Sequence, residues 1–150
     1  RDAPFWAKCY KRLGKIYNQY VTPKKGRPYW AKKEKSMEDC IFCKIIKGEI
    51  PSTKVYEDEN VLAFKDINPA APIHILVVPK QHIENVLEIN EENKEIASNI
   101  FLAINKIAKQ LGIDQNGFRV ITNCGKDAGQ EVMHLHFHIL AGGKMGPKIV

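Results

Sequence analysis

His134-Leu135-His136-Phe137-His138-Ile139-Leu140, HLHFHIL, places a histidine at every second position three times over. In an extended chain alternate side chains share a face, so the imidazoles point one way and Leu135, Phe137 and Ile139 the other. Three buried imidazoles would each need a partner of their own, which weighs against an ordinary satisfied core. Three in a row also converge poorly on one ion. Same-face neighbours stand about 6.6 Å apart, whereas zinc–nitrogen bonds are about 2.0–2.1 Å. Two of the three can share a metal more naturally. The remaining possibility is a row of phosphate partners, since an imidazole serves as nucleophile, as proton carrier or, when protonated, as donor to developing negative charge.

The neighbouring sequence favours that last reading. FRVITN, ending at Asn123, reads as the preceding strand. GKDAGQ then makes a loop whose two glycines let backbone amides approach an anion closely. His74 lies in another strand, IHILVVP, a continuous β-branched run closed by Pro79, and is expected to face the same cleft. KVYE and VLAFKD are strands separated by Asp58, Glu59 and Asn60. CIFCKIIKG predicts a short helix stopped at Gly48. Asn90 is expected to cap a long helix with Ile96, Ile100, Ile104, Ile107 and Leu111 on one face, closed by Gly112. VMHLHFHIL is predicted as the last strand. Strands joined by short turns, with one long helix inserted, give an α+β layer packing on an antiparallel sheet.

The chain has 150 residues and a net charge of +6, which is informative only when divided. Residues 1–36 hold 11 of the 23 basic and 2 of the 17 acidic residues, a local balance of +9; residues 37–150, with 12 and 15, carry −3. The basic character therefore belongs to a leader, and residues 37–150 are not expected to bind nucleic acid. In the leader, Trp6, Tyr10, Leu13, Tyr17 and Tyr20 follow a helical period up to TPKKGRP, where Pro23, Gly26 and Pro28 end it. Such a helix can meet an acidic surface; the plainer expectation is an appended or flexible piece, with a domain starting at Met37. No apolar run nears the roughly 20 residues that span a bilayer, and no secretory signal is recognisable. Four cysteines in a chain of this size imply no disulfide framework, so a reducing cytoplasm is expected.

Cys40 and Cys43 form a C-x-x-C pair, ambiguous between zinc and a redox dithiol. A thioredoxin-like dithiol expects a βαβ setting, which this order of elements does not offer. Two further ligands would complete a tetrahedral zinc; the alternative is a buried, unliganded pair. Cys9 and Cys124 read as ordinary.

HLHFHIL, together with IFCKIIKGEIP, LAFKDINPAAPIHILVVPKQHI, NCGKDAGQ and LAGGKM, resembles the histidine-triad superfamily of nucleotide hydrolases and transferases over Asp39 to about Gly143. It is most similar to the Hint branch, whose members are adenosine 5′-monophosphoramidases. That resemblance implies a five-stranded antiparallel sheet with one long and one short helix, and a homodimer joining two sheets into ten strands. It implies cleavage of a P–N bond in a purine nucleotide substrate, with His136 as nucleophile and His138 and His74 handling phosphate and protons. Phe42, Phe64, Asp66 and Ile67 match the nucleoside pocket, although core packing explains the three apolar ones equally well. Asn123, Gly129, Gln130, Glu131 and Val132 match the phosphate side. Animal members carry serine where Glu131 stands; a carboxylate there would repel phosphate or, protonated, serve the amine. Bacterial relatives imply structural zinc on Cys40, Cys43, His82 and His134, which would divide the row between structure and chemistry. Dinucleoside polyphosphate hydrolysis and a nucleotide-binding scaffold role are the competing functions.

Overall fold

The computed structural model describes residues 37–147. The helix expected in the leader lies outside the described residues. Five strands form one antiparallel sheet in the order β1-β2-β3-β5-β4. They are β1 (Lys54–Glu57), β2 (Val61–Lys65), β3 (Ile73–Pro79), β4 (Arg119–Ile121) and β5 (Phe137–Ala141), with a short helix α1 (Ile41–Ile46) before them and a long helix α2 (Glu95–Gln110) between β3 and β4. The α+β expectation with one long and one short helix is what the described residues show.

The apolar runs of β2 and β3 follow from burial on both faces. Val61, Ala63, Ile75 and Val77 join α2 in one cluster, with Ile100, Ile104 and Ile107 supplied by the helix. Leu62, Phe64, Leu76 and Val78 point the other way and pack with Phe42, Cys43 and Ile45 of α1. The β1–β2 turn is closed by Asp58, whose Oδ1 accepts from the amides of Asn60 and Val61, both at 2.8 Å. An aspartate bonding backbone two and three residues on stabilises a tight reversal.

Four details differ from expectation. Asn90 does not cap α2: its Oδ1 accepts from Glu92 N–H at 2.8 Å, and the helix starts at Glu95. An Asx side chain satisfied in a local turn competes with helix capping. Leu111 is the C-cap residue and 37% exposed, so it leaves the buried face. The last strand begins at Phe137, three residues after His134. Val77 stands opposite Phe137, so continuing the ladder would bring Leu135 to Pro79, which has no N–H to donate. Leu135 N–H turns instead to the carbonyl of Ile83, at 2.7 Å. FRVITN likewise contributes only Arg119–Ile121 to the sheet. Among the described residues no helix is long and apolar enough to cross a membrane.

Candidate active site and metal centre

The alternation of faces survives the shortened strand. Leu135, Phe137 and Ile139 lie in the cluster built on α2, while His134 and His136 meet the edge of Phe42 at ring separations of 5.9 and 5.2 Å. From there the imidazoles part company.

His134 joins the cysteines. Its Nδ1 lies 3.4 Å from Cys40 Sγ, 3.5 Å from Cys43 Sγ and 3.2 Å from His82 Nδ1, and Cys43 Sγ is 3.3 Å from His82 Nδ1. All four residues are buried, and their donor atoms lie within 4.8 Å of one another. Tetrahedral zinc with bonds of about 2.0–2.1 Å to nitrogen and 2.3 Å to sulfur sets its ligand atoms roughly 3.3–3.8 Å apart, so this set is compatible with zinc. His134 Nε2 donates to the Pro79 carbonyl at 2.8 Å, which turns the Nδ1 lone pair inward, as a metal ligand requires. Burial and the neighbouring Cys40 push the Cys43 thiol up to about 12. Burial holds His134 down at about 4, hence neutral. A metal entering here must displace the thiol protons.

His136 is fixed differently. Its Nδ1 donates to the carbonyl of His134 at 2.7 Å, so the lone pair is carried by Nε2. Thr122 Oγ1 donates to the carbonyl of His136 itself, at 2.9 Å. The third histidine belongs to a hydrogen-bonded group with His74 and Asp66. Ala70 N–H donates to His74 Nδ1 at 3.0 Å, which leaves the proton of neutral His74 on Nε2. That Nε2 is 2.8 Å from His138 Nδ1 and 3.4 Å from Asp66 Oδ2. His138 therefore accepts at Nδ1 and carries its own proton on Nε2. Its ring centroid is 5.1 Å from that of His136. Burial, then His136 and His74, hold His138 at about 4 against a weaker upward pull from Asp66.

A cleft of about 600 Å³ opens between α1 and the end of β2, walled by Phe42, Phe64, Leu76 and Ile45, with Asp66 and Ile67 at its edge. Phe42 and Phe64 meet edge-to-face at 5.6 Å and are almost wholly buried, so each is both core and wall. Ile67 is 91% exposed, outside any core. A separate hollow of about 500 Å³ near Gly112, Gly117 and Gly142 is lined by none of the histidines.

Where the resemblance leads one to expect phosphate contacts, partly buried Asn123 precedes a 3₁₀ turn, Lys126–Ala128, set between Gly125 and Gly129. Both glycines have positive φ, 82° and 73°. Val132 packs on the α1 cluster and Glu131 is exposed. The Gln130 side chain turns inward onto backbone groups. The carbonyls of Pro79 and His134 and the amide of Ala70 had no residue-type signal by which sequence could find them. Ile45, Ser52 and Thr53 also line the cleft without having been singled out.

Comparison with known proteins decides the family: the HIT domain matches residues 47–145. The chain belongs to the HIT family. A solved HIT family hydrolase from Clostridium thermocellum superposes with a TM-score of 0.74 at 62% identity, covering 75% of this chain and 98% of that one. An uncharacterized HIT-like protein of Buchnera aphidicola is 54% identical over 105 residues, which is 70% of this chain and 94% of that protein. The purine nucleoside phosphoramidase of Escherichia coli is 44% identical over 112 residues, covering 75% of this HIT chain and 94% of that enzyme.

Proposed function

We propose that this HIT protein hydrolyses the P–N bond of purine nucleoside 5′-phosphoramidates, adenosine derivatives among them, through a nucleotidyl-histidine on His136. One observation carries the proposal: the His136 Nδ1–H is held by the His134 carbonyl at 2.7 Å, which leaves the lone pair on Nε2. Similarity to the Escherichia coli purine nucleoside phosphoramidase supports the substrate class.

The base enters the cleft against Phe42 and Phe64, and Asp66 meets the ribose hydroxyls. Asn123 and the Gly129–Val132 segment receive the phosphate. His136 Nε2 attacks the α-phosphorus as the P–N bond breaks. The leaving nitrogen keeps the bonding pair and takes a proton from the His74–His138 pair, which carries one extra proton while the anionic substrate is bound, so an amine departs. The nucleotidyl-imidazole is cationic, and the carbonyl at its Nδ1–H offsets that charge. Water then forms a new P–O bond, the bond to His136 breaks, and the proton returned to the pair restores the enzyme with release of the nucleoside monophosphate.

Cys40, Cys43, His82 and His134 would hold zinc. Four protein donors leave no open position for substrate, so the ion supplies cross-linking and no chemistry. Residues 37–150 form the working domain, and a homodimer and a cytoplasmic location belong to the same proposal. The deciding experiment is turnover of adenosine 5′-phosphoramidate beside diadenosine polyphosphates, with products quantified. AMP and ammonia from the first substrate are expected; release from the polyphosphates alone overturns the reading.

A further inference from the structure

Gln130 ends the loop GKDAGQ, yet the residue is 6% exposed and both ends of its side-chain amide are hydrogen-bonded. Oε1 accepts from Gly125 N–H at 2.9 Å. Nε2 donates to the carbonyl of Glu84 at 2.7 Å and to that of Val132 at 3.1 Å. The backbone N–H of Gln130 donates to the Gly125 carbonyl at 3.1 Å. The loop is thus closed into a ring across Gly125 and Gln130, and the ring is tied to a segment some 46 residues away in sequence.

That segment is a firm anchor. Ile83, beside Glu84, is 2% exposed and its carbonyl holds Leu135 N–H, while His82 lies against His134. The loop is the opposite case. Two glycines at positive φ flank a single 3₁₀ turn, and glycine loses more conformational freedom on ordering than any other residue. Its shape has to be imposed from outside. The loop also leaves the sheet next to the reactive rings: Ile121 of β4 stands opposite His138, and Thr122 holds the carbonyl of His136. Only an amide can satisfy this place, because one acceptor and two donors are required from one side chain.

We infer that Gln130 is a positioning residue, a strut from Glu84 that sets the 125–131 loop relative to His136 so that a bound phosphate lies in line with Nε2. This rests on the proposed phosphoramidate chemistry, since alignment with a nucleophile matters only if there is one. Misplacement of reacting groups by about 1 Å can cost about a hundredfold in rate.

The test compares Gln130→Met, which keeps length and loses every side-chain hydrogen bond, with Gln130→Glu, which keeps the acceptor and loses both donors. Active sites are counted by the burst of nucleotidyl-enzyme, and amide exchange is followed at residues 125–132. Per titrated site, the single-turnover rate should fall at least tenfold in both variants, with a smaller change in AMP affinity, faster loop exchange and unchanged zinc content. A lower melting temperature with an unchanged rate per titrated site would make Gln130 merely structural and overturn the inference. Should neither variant fold, the wild-type Gly125 amide decides: protection of about a hundredfold or more is expected from its bond to Oε1, and exchange at the free-peptide rate overturns the strut. Absence of any nucleotidyl-enzyme in the wild type would defeat the proposed chemistry, whereas unchanged loop exchange in Gln130→Met would defeat the strut.

Discussion

The ring of His136 is oriented by the backbone of His134, its neighbour in the row: Nδ1–H meets the carbonyl oxygen across 2.7 Å. The side chain of the same His134 lies in the Cys40–Cys43–His82 cluster. Candidate metal ligand and candidate nucleophile therefore share a short piece of backbone and face different groups.

Replacing His136 with alanine should abolish turnover and the nucleotidyl-enzyme while AMP still binds, because the loop amides and His138 remain to hold phosphate. Single-turnover labelling with a substrate radioactive at the α-phosphate reads this directly. Substantial hydrolysis by His136→Ala would move the nucleophile elsewhere.

Protein purified without added metal should contain about one zinc per chain. Cys43→Ser should lose the ion and melt roughly 10 °C lower, corresponding to a few kcal/mol in a domain of this size. Elemental analysis and thermal denaturation check both statements together. A zinc-free wild type, or an unchanged melting temperature in the variant, would reduce the pair to buried thiols.

The burial of His138 makes a pH dependence. Its folded value, about 4, lies below the ordinary 6.5. A group depressed in this way stabilises the fold fully above the unfolded value and loses that contribution as pH falls through the folded one. Urea midpoints should therefore decline between pH 6.5 and pH 4, and His138→Gln, neutral throughout, should decline less steeply. Identical slopes would remove His138 from the effect.

A chain beginning at Met37 should match the full chain in melting temperature and in kcat/KM. The charge balance changes from +9 to −3 at that point, and the HIT match begins only at residue 47. A tenfold fall in kcat/KM, about 1.4 kcal/mol, would mean that residues 1–36 complete the site.

Much of the architecture was already legible in the order of residues. The period of HLHFHIL assigns imidazoles to one face and apolar side chains to the other because alternation is a local property of extended backbone. The unbroken apolar runs of β2 and β3 and the isoleucine stripe of α2 are local patterns of the same kind, and the C-x-x-C spacing brings Cys40 and Cys43 close through one helical turn. Pattern names a face; it does not name the atom that face will meet. Only the folded chain brings His82 and His134 together with the cysteines and gives His136 and His138 different hydrogen-bond partners. It also ends the β5 ladder where Pro79 has no N–H to give, and turns Gln130 onto Glu84. The partners that fix the protons of His134, His136 and His74 are the carbonyls of Pro79 and His134 and the amide of Ala70, groups that almost every residue carries alike. Backbone atoms leave no signature in a sequence, so the partner that each of these imidazoles meets was decided by the tertiary structure.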